Sequence, residues 1–194
     1  MLVLGDIAED FMEIFMSVHP ILVISVVGSF IGTIFYALPF THRFARDVLC
    51  ANEYFCIGNL GLCVFIHGSF TCHFLGNMIT IIPSLLICEG YYSKSLMLAS
   101  FIVMSFFDGM ACWVRKKGAC GISSVAFMYL SMACLRFFNG IGTALLILFF
   151  FCTIREDAKS RRSDTFAHAS GFIIGAIIAV IANLAMGKRF KILL

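Results

Sequence analysis

Four polar side chains stand at matched places in a chain that is otherwise strongly apolar, and their types suit acyl transfer. Ser123 follows Gly121, His168 precedes Gly171, and His73 and Asn77 lie one helical turn apart. A serine hydroxyl attacks a carbonyl only when a base takes its proton, and histidine is the usual base near neutral pH. The tetrahedral intermediate then needs hydrogen-bond donors aimed at its oxyanion. Neutral imidazole and carboxamide groups supply them without burying a net charge. Ser123 as nucleophile, His168 as base, and His73 with Asn77 as oxyanion donors therefore make a complete set. Gly121 would relieve crowding beside Ser123, and Gly171 would let two helices approach until the serine and histidine meet. Each residue also has an ordinary role. A histidine in an apolar helix often bonds a neighbouring helix, a serine often bonds its own backbone, and Gly171-x-x-x-Gly175 is a packing pattern.

The elements that must position these groups are membrane spans. A bilayer-crossing helix needs roughly 20 mostly apolar residues. Six stretches qualify: about 20–38, 72–88, 96–114, 119–135, 137–154 and 166–186. The fourth and fifth meet tightly around Arg136 and should form a hairpin. The second, fourth and sixth cross in one direction, so residues near their N-terminal ends share one membrane face. His73, Asn77, Ser123 and His168 all sit near those ends, which is how a site would look. The expected organisation is a short N-terminal segment (1–19), a six-helix membrane domain (20–187) and a basic C-terminal tail (188–194).

Composition agrees with an all-α polytopic membrane protein. Hydrophobic residues make up 61% of the 194 and charged residues 13%, against about 25% charged in a soluble domain. A water-facing shell cannot be built from so few charges. The net charge of +3 is small and scattered, which argues against nucleic acid as a partner. Nine cysteines lie mostly in apolar runs, with no C-x-x-C pair, so neither a metal site nor a cofactor is expected. Asp6, Glu9, Asp10 and Glu13 occupy the place where a secretory leader carries basic residues.

Three segments resemble the rhomboid intramembrane serine proteases. HGSFTCHFLGNM (67–78) is similar to the second-helix signature of that family, GISSVAF (121–127) to its fourth-helix G-x-S-G, and AHASGFIIG (167–175) to its sixth-helix A-H-x-x-G-x-x-x-G. They occur in family order, across roughly Gly58 to Gly187. The resemblance implies a six-helix rhomboid-like bundle and a Ser123–His168 dyad with no third member. It implies an oxyanion site of His73, Asn77 and the Ser123 N–H, and an aromatic packed on the histidine, here Phe127. Glu89 resembles a glutamate that ties the turn after the second helix. The substrates implied are single-span membrane proteins, cleaved within the lipid bilayer where a helix is weakened by small residues. The fifth span would be a lateral gate, with Gly140 and Gly142 near its start.

The departures define the alternatives. Ser124 replaces the family's glycine and would add a side chain near the oxyanion site. One extra residue separates His67 from His73. A second register puts GACG (118–121) on the motif and makes Cys120 the nucleophile. A catalytically inactive rhomboid-like protein that binds membrane clients is the main rival to a protease, and a small transporter is another. The basic residues favour the orientation opposite to the family's usual one, and the organelle is not encoded.

Overall fold

The computed structural model describes residues 20–118, 120–159 and 164–191. The acidic stretch 1–19, Ala119, residues 160–163 and the last residues of the tail (192–194) lie outside the described residues. Among the described residues, seven α-helices follow in order: α1 (Pro20–Ala37), α2 (Pro39–Phe44), α3 (Gly76–Cys88), α4 (Lys94–Val114), α5 (Ser123–Leu135), α6 (Gly140–Lys159) and α7 (Thr165–Ala185). Between α2 and α3 the chain runs through a π-helical turn (Ala45–Leu49), two 3-10 turns (Ile57–Leu60 and Leu62–Phe65) and a second π-helical turn (Phe70–Leu75) that leads directly into α3. No strand forms among the described residues.

The long helices are apolar outside and polar inside. On α1 the buried face includes Ser25, Ser29 and Thr33, while Ile24, Val27, Phe30, Ile31 and Ile34 are exposed. On α4, Ser100, Ser105 and Asp108 are buried, while Ile102, Val103 and Phe106 are exposed. On α7 the same holds for Ser170 and Asn183 against Ile173, Ile177 and Ile181. Water would penalise the exposed apolar faces and a hydrocarbon surround favours them; inside, the Thr33 and Ser100 hydroxyls donate to carbonyls one turn back, while those of Ser25, Ser29 and Ser105 have no hydrogen-bond partner. Among the described residues, three helices are long and apolar enough to cross a membrane: α1, α4 and α7, with mean hydropathies of 2.0, 1.7 and 2.0. The stretches His73–Cys88 and Ser123–Leu135 are apolar but shorter.

α5 is the axis of the bundle. Of its 13 residues, nine are buried, from Ser124 to Leu135. Tyr129 donates to the Met97 carbonyl of α4 at 2.7 Å, and Tyr92, just before α4, donates to the Met132 carbonyl at 3.0 Å. Ser131 donates to the Phe172 carbonyl of α7 at 2.9 Å, and Asn183 of α7 donates to the Leu135 carbonyl at 3.1 Å. These bonds satisfy polar groups that lipid could not.

The 3-10 region is held by Asn59, which is fully buried. Its Oδ1 accepts from the Cys56 N–H at 2.9 Å, and its Nδ2 donates to the Asn52 carbonyl at 3.1 Å and to the Gly109 carbonyl of α4 at 3.0 Å. The stretch 41–66 is thereby docked on α4. The apolar runs locate the helices, with shifts at their ends. The expected fourth span begins at 119, whereas α5 begins at Ser123 itself; the expected fifth ends at 154, whereas α6 continues to Lys159.

Candidate active site

α5 begins where Gly121 adopts φ +111°, a left-handed conformation that side chains resist. A Cβ at Gly121 would also overlap Nε2 of His73. Two independent constraints therefore select glycine here, and the result is that the His73 ring lies against the backbone leading into Ser123. The Gly121 N–H is fixed by the Cys63 carbonyl at 2.9 Å. Ile122, at the cap position, provides no side-chain cap, so the first N–H groups of α5 remain available as donors at the positive end of the helix dipole.

The His73 ring is oriented by its own loop. The Gly68 N–H donates to His73 Nδ1 at 3.3 Å. A neutral ring that accepts at Nδ1 carries its proton on Nε2, so the atom facing Gly121 is a donor. Asn77, one turn along the same helical run, has a buried Nδ2 with no hydrogen-bond partner. His67 is 1% exposed, packs edge-on to His73 at 5.0 Å between centroids, and likewise leaves a buried Nε2 without a partner. Unpaired buried polar atoms are costly and uncommon in folded proteins. Other such atoms lie elsewhere in the bundle, on Ser25, Ser29, Ser105 and Arg136.

His168 stands in the first turn of α7. Its ring packs on Phe127, with centroids 4.7 Å apart, and Phe127 stacks in turn on Phe172 at 4.8 Å. α7 lies close against α5 because Gly171 and Gly175 face the carbonyls of Ser124 and Met128, where any Cβ would overlap. His168 and His73 are near enough to feel one another's charge. The Nδ1 of His168 is bonded to the Asp157 carboxylate of α6 at 2.7 Å, and the Asp157 side chain is 8% exposed. No third residue was expected beside the Ser123–His168 pair. Asp157 was missed because it lies beyond the apolar run, in the turn by which α6 overshoots its expected end.

Ser123 is half-buried, and its hydroxyl makes no hydrogen bond among the described residues, so it is not bonded to His168 in this structure. Nucleophile–base hydrogen bonds are often long in unliganded enzymes and tighten on substrate. Ser124, expected to add a side chain near the oxyanion site, is fully buried, and its hydroxyl donates to Asp108 of α4 at 3.0 Å. Cys120 is partly buried, with the Cys50 thiol and the Gly68 N–H beside it; the same Gly68 N–H is bonded to His73.

The entrance of α7 is fixed by Asp164. Its Oδ1 accepts from the Phe166 and Ala167 N–H groups at 3.1 and 3.4 Å. Arg115, at the end of α4, grips the same carboxylate with both terminal nitrogens, at 3.0 and 3.1 Å, and lies 4.2 Å over the Phe166 ring. Burial raises the Asp164 carboxyl, but the guanidinium and the helix N–H groups outweigh it and hold the group below its ordinary value. An apolar cleft of ≈ 190 Å³ opens between α6 and α7, lined by Leu146, Phe150, Phe172 and Ile173 among others. It contains none of the polar site residues. Among the described residues no group of His, Cys, Asp or Glu side chains is arranged to hold a metal ion. No family model, curated protein or solved structure matches the chain.

Proposed function

We propose that the chain is an intramembrane serine protease of the rhomboid kind, with six helices crossing the bilayer and single-span membrane proteins as substrates. The observation that carries this reading is the bracketing of Ser123 by two imidazoles. His73 presses on Gly121, two residues before the serine, and His168 packs on Phe127, one turn after it. Ser123 Oγ attacks the scissile carbonyl while its proton passes to His168 Nε2, the nitrogen that Asp157 leaves open. The oxyanion accepts hydrogen bonds from the Ser123 N–H, Asn77 Nδ2 and His73 Nε2. Collapse expels the amine, which takes the proton from His168, and water admitted by the same base releases the acyl group.

Access fits the same reading. Gly142 and Asp157 are the buried residues of α6, one near each end, and the span between them shows apolar side chains outward. A helix anchored at two points is a natural gate for a substrate helix arriving through lipid. A fluorophosphonate probe on the purified protein tests the proposal. Covalent labelling should appear in the wild type and in Cys120→Ala, and vanish in Ser123→Ala and His168→Ala. Absent labelling in the wild type, with client binding that survives Ser123→Ala, would leave the inactive client-binding role in its place.

A further inference from the structure

Resting on the protease reading, we infer that Asp157 is a positioning residue for His168, completing a Ser123–His168–Asp157 relay in which the gate helix itself holds the catalytic base in register. A carboxylate at 8% exposure on an otherwise lipid-facing helix is costly unless it has partners. Its bond to His168 Nδ1, at 2.7 Å, is short and runs between two helices. An ionised carboxylate accepts the Nδ1–H. This fixes the tautomer whose Nε2 bears a lone pair, and it stabilises the imidazolium formed when the serine proton arrives. Phe127 constrains the ring from its face while Asp157 constrains it from its edge.

Among the described residues, the charged and titratable groups around His168 come from four places. Asp157 lies on α6, His73 on the turn before α3, Asp164 at the start of α7, and Arg115 at the end of α4. Asp164 is already committed to Arg115, and His73 is a second imidazole. Asp157 is thus the carboxylate directly bonded to the base. The placement has a regulatory corollary. Asp157 is one of the two buried residues of α6, so a displacement of that end of the helix breaks the hydrogen bond to the base.

The experiment is the pH dependence of fluorophosphonate labelling in wild type, Asp157→Asn and Asp157→Glu, with monodispersity in detergent as the control for folding. Asn removes the charge and keeps the shape. The labelling rate should fall by ~10²-fold or more, as for loss of the carboxylate from a serine–histidine–aspartate set. The acid limb of the profile should also move to lower pH, because the imidazolium loses its counter-charge. Glu restores a carboxylate and should bring back the wild-type position of the limb. A merely structural role predicts a tolerated Asn and an unmoved limb, and that result overturns the inference while the protease reading stands. A wild type that never labels overturns both. Should Asp157→Asn fail to fold, the Glu variant decides: a shifted limb despite a retained carboxylate would refute the positioning role.

Discussion

Asn77 holds a buried donor with nothing to donate to. Such a group lowers stability unless a bound partner takes up its hydrogen bond. Asn77→Ala should therefore cut probe labelling by ~10²–10³-fold, the usual cost of one oxyanion donor, while thermal unfolding stays level or rises. Unchanged labelling would remove Asn77 from the site. Gly121→Ala tests the other wall. It forces a side chain into a left-handed backbone and into the His73 ring, so labelling should be lost together with about 1–3 kcal/mol of stability. At this scale the sequence was informative about residue type. Ser123, His168, His73 and Asn77 were legible because polar groups are rare in apolar runs. Asp108 carried the same signal, a lone acid in an apolar run, and its role beneath Ser124 was overlooked. Asp157 was hidden because its neighbours Arg155, Glu156 and Lys159 made it look like part of a solvated connection.

Two joints between elements set how the site is held. α5 and α7 meet through Gly171 and Gly175, each against a carbonyl of the opposite helix. Gly171→Val should force them apart, uncouple His168 from Phe127 and abolish labelling, with a fall in melting temperature that exceeds the fall for the same change at Gly76, a helical position whose surroundings are open. The second joint is Arg115–Asp164, which ties α4 to the first turn of α7. The Asp164 carboxyl is held below its ordinary value, so its contribution is fully present above the carboxylate range and is lost as pH falls through the lowered value. The gap in melting temperature between wild type and Asp164→Asn should be open at pH 7 and close as the solution is taken below about pH 4. A gap independent of pH would mean that the pair contributes packing rather than charge. The helices themselves were legible as apolar runs. Their ends were not: α6 continues five residues past its expected end at 154, and there the Asp157 side chain turns inward to meet His168.

Over the whole molecule, the inward serines and outward isoleucines of α1, α4 and α7 follow from one physical choice, a surround that cannot accept hydrogen bonds. The turn after α3 and the C-terminal segment share one end of the bundle. Tyr91 donates to Asn183 at 2.6 Å, and Lys188 sits 4.0 Å over the Tyr91 ring. Under six crossings, Lys94→Cys and Arg189→Cys in sealed vesicles should react with an impermeant maleimide from the same side, and Lys117→Cys from the other. Reaction of Lys94→Cys and Lys117→Cys from one side would rule that topology out. The same measurement decides orientation, on which the positions of Lys and Arg disagree with the usual rhomboid arrangement.

At 13 residues α5 is about 20 Å long, some 10 Å less than a hydrocarbon core, while α4 and α7 at 21 residues match it. Under the proposed six crossings, a bilayer matched to α4 and α7 is thicker than α5, and the difference is taken up at one or both ends of that helix. The protease reading requires solvent at the Ser123 end, where the half-buried rings of His73 and His168 are the polar groups beside the helix start. Bilayer thickness would then be a variable of the proposed reaction: a thicker membrane would lengthen the path along which each water molecule must travel.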